Sequence, residues 1–302
     1  MQLRGFAIVY IFMKLRWTLV CLCFIASTAV AQIQVELRFQ RLQYIAYEPV
    51  VANLVVTNLA GRDVDLRDAD GQSWFGFEVS GNEGRSIAPI STAGTEPLKL
   101  AAGKRVTRKI NLSPLFGVHD FGTYRVRAHI YFADLNKFFY SQTKVFEITD
   151  ARPIWQKTVG VPEGERISGN VRTYSLMTNR FPDHTALYVR VEDKDSGIVY
   201  ATYSLGQVIG FEDPQTEFDR SNQLHLLYCA APRNWSYSRI GLNGELLSRA
   251  RFAETKTRPR LVHTEDGVVK IAGGMIDTPF TQATRDTAQK LSARPPNAPK
   301  DD

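Results

Sequence analysis

Short apolar runs broken by turn-forming residues constrain the fold of this chain more than any other feature. Val, Ile, Tyr and Phe cluster in brief segments that Gly, Asn, Asp and Pro separate, and no long segment has the apolar period of a helix. In the segment 33–40 apolar and polar residues alternate strictly, which places Ile33, Val35, Leu37 and Phe39 on one face of a half-buried strand. We therefore predict an all-β protein.

The first 31 residues have the pattern of a secretory signal peptide. Residues 13–16 carry two cations, residues 17–25 are apolar, and small residues at Ala29 and Ala31 precede a predicted cleavage site before Gln32. The alternative is an uncleaved anchor, which would bury both cations in the bilayer at a cost of about 2.5–3.5 kcal/mol each. We expect a periplasmic or secreted protein with no stable membrane span after cleavage.

Charge and cysteine content restrict the partners and the covalent structure. Loss of the signal would remove three basic residues and no acid, which leaves 34 basic against 31 acidic residues and a net charge of +3. A charge this small does not favour a nucleic-acid partner. Cys229 would be the one remaining cysteine, so we expect no internal disulfide and, because its neighbours are apolar, a buried thiol.

Residues 32–150 are predicted to form a β-sandwich. The predicted strands are 33–40, 50–57, 74–79, 106–112, 124–132 and 144–148. The run Asp120-Phe121-Gly122-Thr123-Tyr124-Arg125-Val126 resembles the Asp-x-Gly-x-Tyr-x-Cys run of immunoglobulin-like domains, in which the tyrosine hydroxyl bonds back to the corner of the chain. The resemblance implies structural roles for Gly122 at a tight bend and for Tyr124 as the corner tyrosine. Val126 stands at the place of the cysteine.

The order of features in residues 33–150 is also similar to bacterial immunoglobulin-like domains of the macroglobulin or proteinase-inhibitor type. Glu48-Pro49 precedes a strand, the run 55–58 (VVTN) follows, and a lysine-led strand comes before Gly-x-Tyr. The resemblance implies a fold and a role in contact or presentation, and it names no partner.

Residues 166–275 carry an internal spacing of 37 residues. Leu187, Leu224 and Leu261 follow one another at this interval, as do Tyr200 and Tyr237. The spacing predicts a β-meander domain of about 37-residue repeats. It also resembles a β-propeller blade, but a propeller needs about 4–8 blades and this segment holds two and a part, so a propeller shared between subunits is the alternative. We further predict a linker at 151–165, in which Trp155 packs between the halves, and a disordered tail at 276–302.

No catalytic, metal or cofactor motif is found in the sequence. The five histidines, His119, His129, His184, His225 and His263, lack the spacing of a metal site, and no phosphate-binding glycine loop occurs. The pairs Asp68/Asp70 and Asp193/Asp195 begin like calcium loops but lack the later ligands, so we interpret both as turns.

One predicted strand carries a candidate binding face. Arg125, Arg127, His129 and Tyr131 alternate on one side of the strand 124–132, and Trp235 lies in a loop that looks exposed. These five residues are the predicted binding residues, with an envelope protein or an anionic glycan as the partner.

Three functions remain open at this point. The first is a non-enzymatic, exported binding or scaffolding protein of the bacterial envelope. The second is a polysaccharide-binding protein with Trp74, Trp155 or Trp235 as stacking platforms. The third is a hydrolase in which Glu192 or Asp219 meets Asp213. A row of exposed tryptophans would favour a glycan, a cleft with two close carboxylates an enzyme, and a flat apolar patch or free sheet edge a protein partner.

Overall fold

The computed structural model describes residues 33–91, 96–162, 171–210 and 212–282. The prediction of an all-β protein is confirmed, because nearly all regular structure in these residues is strand. The predicted signal peptide, 1–31, lies outside the described residues. None of the helices in the described ranges is both long and apolar enough to cross a membrane.

The first half of the chain forms two main sheets, which are antiparallel except where β2 (Gln43–Ile45) pairs in parallel with β11 (Lys144–Thr149). Its strands are β1 (Ile33–Phe39), β2 (Gln43–Ile45), β3 (Val51–Asn58), β4 (Val64–Leu66), β5 (Phe75–Ser80), β6 (Ser86–Ile87), β7 (Leu98–Leu100), β8 (Arg105–Asn111), β9 (Gly122–Phe132), β10 (Lys137–Tyr140) and β11 (Lys144–Thr149). Helical turns lie at Asn82–Gly84, Ser113–Phe116 and Ala133–Leu135. The six strands predicted from the sequence each match an observed strand to within about two residues.

The sheet orders explain where the core of the first half lies. One sheet has the order β1-β3-β8, the other has the order β2-β11-β9-β5-β6 with β10 also paired to β9, and β4 pairs with β7. Alternate side chains of both sheets, such as Leu37, Leu54, Phe77, Val126 and Phe146, belong to one apolar cluster. The other side chains of β9 therefore point away from this core.

The turn before β9 has the geometry that the sequence pattern suggests. The Tyr124 hydroxyl donates a hydrogen bond to the carbonyl oxygen of Asp120 over 2.9 Å. Gly122 has a φ of +140°, and a Cβ atom at this position would collide with the Asn82 side chain, whose oxygen accepts a hydrogen bond from the Thr123 N–H. A side chain at position 122 is therefore excluded by both conformation and space.

The second half of the chain contains two up-and-down antiparallel sheets and a hairpin. Its strands are β12 (Arg152–Gly160), β13 (Val171–Arg180), β14 (Thr185–Asp193), β15 (Val199–Gln207), β16 (Gln215–Phe218), β17 (Leu224–Ala231), β18 (Asn234–Ile240), β19 (Leu246–Ala253), β20 (Arg260–His263), β21 (Val269–Ala272) and β22 (Met275–Gln282). The sheet orders are β12-β13-β14-β15 and β16-β17-β18-β19-β22, and β20 pairs with β21. Leu176, Val189, Leu205, Leu226 and Tyr228 are among the side chains that join both sheets in one core.

Two predicted boundaries are wrong. The segment predicted as a linker, 151–165, contains β12, which pairs along its length with β13, so the second half begins well before residue 166. Pro153 is compatible with this strand because β12 is an edge strand and the ladder is irregular there. The tail predicted to be disordered from Ile276 instead continues as β22, which gains order by backbone pairing with β19. Residues 283–302 lie outside the described part.

The prediction that Trp155 packs between the two halves is wrong. Its ring stacks on Phe218 with the ring centroids 6.3 Å apart, and so it joins the two sheets of the second half. The halves meet instead at a small apolar cluster formed by Ile45, Ala151, Met177, Ala186 and Tyr188. The two halves therefore pack against each other through buried apolar side chains.

The 37-residue spacing falls on strands, although not on three equivalent units. Leu187 lies on β14 and Leu224 on β17, and each of these strands forms a hairpin with the next one. Leu261 lies on β20, in the isolated β20–β21 hairpin. Tight turns at 195–197 and 242–244 connect β14 to β15 and β18 to β19, and Gly197 and Gly244 adopt positive φ angles there.

Candidate functional site

The four binding residues predicted in the first half lie together on the solvent side of β9. Because Tyr124, Val126, Ala128 and Ile130 point into the core, Arg125, Arg127, His129 and Tyr131 share the opposite side of the strand. Arg125 is exposed, and Arg127 and His129 are half-buried. Tyr131 is 1 % exposed, so its prediction as a residue that contacts a partner is wrong, and its ring supports the surface from below. We call this solvent-side surface of β9, together with the neighbouring rings of β10, the outer face.

Strand β10 adds two aromatic rings that the sequence analysis missed. Phe138 is opposite Tyr131, and Tyr140 is opposite His129 in the ladder. The ring centroids are 5.0 Å apart for Tyr131 and Phe138, and 5.5 Å apart for His129 and Phe138. The four rings form a continuous aromatic ladder. The run Lys137-Phe138-Phe139-Tyr140, which begins five residues after Phe132, was the available signal, but it is too short to indicate a strand alone.

Polar contacts hold both ends of this ladder. The Tyr131 hydroxyl lies 3.0 Å from Asn136 Oδ1 and 3.2 Å from Asp70 Oδ2, and burial together with that carboxylate raises the pKa of Tyr131. At the other end, the Arg127 guanidinium lies 4.4 Å from the centroid of the Tyr140 ring and donates to Glu78 over 2.6 Å. The rings and the guanidinium are therefore ordered before any partner binds.

The middle of the outer face is shaped by the pair of His129 and Gly76. Gly76 of β5 lies opposite His129, and a Cβ atom at this position would be 2.6 Å from Nε2 of the imidazole. The missing side chain thus makes room for the His129 ring. Burial is the main cause that lowers the pKa of His129, which favours a neutral ring at pH 7.

The tryptophans do not form stacking platforms, so this part of the sequence interpretation is wrong. Trp235 is 2 % exposed and lies within β18, where its Nε1 donates to Glu254 over 3.2 Å. The residues expected to be its loop instead continue the sheet, and Arg258 covers the ring. Trp74 is fully buried and Trp155 packs on Phe218. Trp235 is therefore a core residue and not part of the outer face.

The second half contains a separate cavity of about 650 Å³. It lies between the five-stranded sheet and the β20–β21 hairpin. The lining residues come from the turn before β17, from the sheet, from the hairpin and from β22: Asp219, Arg220, Ser221, His225, Tyr237, Arg239, Ser248, Phe252, Gly267, Val268, Val269, Lys270, Ile271 and Ile276. Its size is in the range of small-molecule sites.

A chain of hydrogen bonds crosses the wall of this cavity. His225 is buried, its Nε2 lies 3.2 Å from Asp219 Oδ2, and its Nδ1 lies 2.8 Å from the Tyr237 hydroxyl. With Nε2 protonated, the ring donates to Asp219 and accepts from Tyr237. Burial lowers the pKa of His225 against the opposing effect of Asp219, and burial raises the pKa of Tyr237. Both groups are thus neutral at pH 7.

The acids named from the sequence do not meet on the wall of this cavity. Asp219 is the one carboxylate among the described residues of the cavity wall, and Glu192 and Asp213 do not line it. Two carboxylates of the acidic turns, those of Asp68 and Asp193, also have partners within the protein. Asp193 accepts hydrogen bonds from Ser196 and pairs with Arg172, and Asp68 accepts from the Trp74 N–H. Within the described ranges, no three His, Cys, Asp or Glu side chains are grouped so as to hold a metal ion.

Comparison with known proteins gives no family for this chain. No protein-family model matches it, and no curated protein is significantly similar to it in sequence.

Proposed function

We propose that this chain is a non-enzymatic binding protein that holds a protein partner on the outer face. The observation that carries the proposal is the row of rings formed by His129, Phe138 and Tyr140, with Arg127 stacked on its exposed end. The Tyr131 ring is buried and supports this row by packing against Phe138. Aromatic residues and arginine are the types most enriched at the energetic centres of protein interfaces.

The shape and order of the outer face support a protein partner over a glycan. The outer face is a side of a sheet, and β10 pairs only with β9 in the described residues, so an unpaired strand edge adjoins the rings. A partner strand can add to such an edge while its side chains contact the ladder. The described residues hold no exposed row of tryptophans that could serve as a glycan platform, since Trp74 and Trp235 are buried and Trp155 packs on Phe218.

The proposal includes an immunoglobulin-like first half, a β-meander second half and export from the cytoplasm. The Tyr124 corner and the two-sheet core support an immunoglobulin-like sandwich for the first half. The two up-and-down sheets joined by one core support related β-meander units in the second. The N-terminal pattern supports export to the periplasm or the exterior.

The test compares two double variants of the full chain as bait for envelope extract. Arg125→Ala with Tyr140→Ala changes the outer face at two exposed positions. Arg105→Ala with Lys109→Ala is the matched control, because both residues are exposed on β8 in the opposite sheet. We expect a stoichiometric protein that the wild-type chain and the control retain, and whose affinity the outer-face variant lowers by about thirtyfold or more.

Two results would contradict the proposal. If both double variants retain the protein equally, the outer face is not its binding site. If only a polysaccharide is retained and the outer-face variant loses it, the site binds a glycan, which is the alternative function, and the protein-partner proposal is wrong. Unfolding midpoints of both variants in urea show whether each chain is folded.

A further inference from the structure

The cavity of the second half has an excess of positive charge. Arg220, Arg239 and Lys270 line it, against the single carboxylate of Asp219. That carboxylate is already hydrogen-bonded to His225, which is neutral because burial lowers its pKa. None of the three cations has an ion-pair partner among the described residues. The three charges are therefore available to a ligand.

Arg239 marks the inner end of the cavity. It lies on β18, directly opposite His225 on β17 and Ser248 on β19, so the three side chains share one side of the sheet. Its Nε is buried, and no acceptor in the described part of the protein reaches it. A buried N–H without a partner is costly unless a bound group supplies the acceptor.

The remaining wall is apolar. Phe252 of β19, Ile276 of β22, and Val268, Val269 and Ile271 of the hairpin contribute it. Val268 is about half exposed, and Arg220 and Lys270 are exposed. The cavity therefore has a cationic, hydrogen-bonding inner end and an apolar side, with two further cations near solvent.

We infer that this cavity binds a small amphipathic anion, with its carboxylate or phosphate head against Arg239 and its apolar body against Phe252 and the hairpin. Ser248 lies on the same side of the sheet and adds a polar side chain to the wall. Asp219 repels a second negative charge at that end, which favours a single-headed anion over a polyanion. The site lies in the other half of the chain from the outer face, so this inference stands independently of the proposed function.

The hydrogen-bond chain of Asp219, His225 and Tyr237 positions the anion site. It fixes the orientation of the imidazole that lies beside Arg239. Burial, which lowers the pKa of His225, keeps that imidazole uncharged, so the arginine alone supplies positive charge at the inner end. The β20–β21 hairpin is held over the site by His263, whose Nε2 lies 2.9 Å from Glu217, and by the Leu261 N–H, which donates to Gln215.

The experiment is isothermal titration calorimetry of the full chain with four probes. Octanoate and octyl phosphate carry both an anionic head and an apolar body, octanamide lacks the charge, and inorganic phosphate lacks the apolar body. We expect one octanoate or octyl phosphate per chain, with at least tenfold weaker binding of octanamide and of inorganic phosphate. The stronger of the two amphipathic probes identifies the head group.

Variants locate the binding. Arg220→Ala with Lys270→Ala changes two exposed cations of the cavity, and Arg260→Ala is the matched control, because Arg260 is an exposed cation of the same hairpin that does not line the cavity. Arg239→Gln removes the inner charge. We expect at least a tenfold loss of octanoate affinity for Arg239→Gln, a smaller loss for the double variant, and none for the control.

The inference is overturned if octanamide binds as tightly as octanoate, or if Arg260→Ala loses as much affinity as the cavity variants. It is equally overturned if no probe binds the wild-type chain at about 1 mM. The double variant changes only exposed side chains, so it remains informative if Arg239→Gln fails to fold. Failure of octanoate binding leaves the outer-face result unaffected, because the bait experiment reports on the first half.

Discussion

Arg41 of the first half donates a hydrogen bond to the Tyr188 hydroxyl of the second half over 2.7 Å. The same guanidinium forms an ion pair with Glu48, which is 3 % exposed and also accepts a hydrogen bond from the Ile45 N–H. A second hydrogen bond between the halves has its donor in the second half: Arg190 donates to the Ala46 carbonyl oxygen of the first half over 2.8 Å. Polar contacts thus add directional bonds to the apolar contact between the halves.

Replacing Glu48 should therefore destabilise the protein. In Glu48→Ala, Arg41 loses its charge partner and the Ile45 N–H loses its acceptor. Because Arg41 is one-third exposed, water compensates part of the loss, and we expect the free energy of unfolding to fall by about 2–3 kcal/mol. Urea denaturation measures this change. Glu83→Ala is the control, since Glu83 pairs with Arg85 at the surface and should cost about 0.5 kcal/mol or less.

The Tyr124 hydroxyl provides a narrower test of the corner before β9. Tyr124→Phe removes only the hydrogen bond to the Asp120 carbonyl and leaves the packing against Phe146 in place. We expect a loss of about 1 kcal/mol in the free energy of unfolding. Tyr140→Phe makes the same chemical change at an exposed ring and should leave stability unchanged. Equal stabilities for Tyr124→Phe and the wild type would show that the corner bond does not contribute.

The sequence predicted elements that depend on local pattern. Strict alternation located β1 and β9, because a half-buried strand needs apolar residues at every second position. The same reasoning failed for β12, which lies in the predicted linker 151–165. Pro153 and Gly160 favour irregular structure locally, but the strand is ordered by pairing with β13. It also failed for Trp235, whose burial depends on Glu254 and Arg258, about twenty residues further along the chain.

In the candidate sites too, the sequence predicted what one strand carries and missed what strand pairing brings together. One strand carries the alternation of Arg125, Arg127, His129 and Tyr131, so the sequence predicted their shared face. Phe138 and Tyr140 join them only through the register of β10 on β9. The cavity could not be predicted, because Asp219, His225, Tyr237 and Lys270 come from separate elements and meet through sheet pairing and hairpin packing.

Acid should expose the contribution of the buried pair formed by Arg172 and Asp193. Burial opposes the charge of Asp193, but hydrogen bonds from Ser196 and the charge of Arg172 outweigh burial and lower its pKa. A carboxylate with a lowered folded-state pKa stabilises the protein above its unfolded pKa, about 3.9, and this stabilisation is lost as the pH falls through the folded value.

The corresponding variant is Asp193→Asn. It leaves the fully buried Arg172 without a counter-charge, and we expect a loss of about 3–5 kcal/mol at pH 7. The difference in free energy of unfolding between the wild type and the variant should be constant from pH 7 to about pH 4 and should shrink below that. Urea denaturation at a series of pH values measures it, and a difference that stays constant down to about pH 2 would contradict the assignment.

The buried histidine of the cavity predicts a second pH dependence in a different range. Burial lowers the pKa of His225 below the usual value of about 6.5, so protonation favours the unfolded chain. The stabilisation that the neutral imidazole gives the folded state is fully present above pH 6.5 and is lost as the pH falls through the folded-state pKa.

In His225→Gln, which keeps a polar side chain beside Asp219 and Tyr237, this part of the pH dependence should disappear. NMR titration of the His225 imidazole gives the pKa directly, and a value above 6.5 would show that the charge of Asp219 outweighs burial and that the inner end of the cavity carries a second cation at neutral pH.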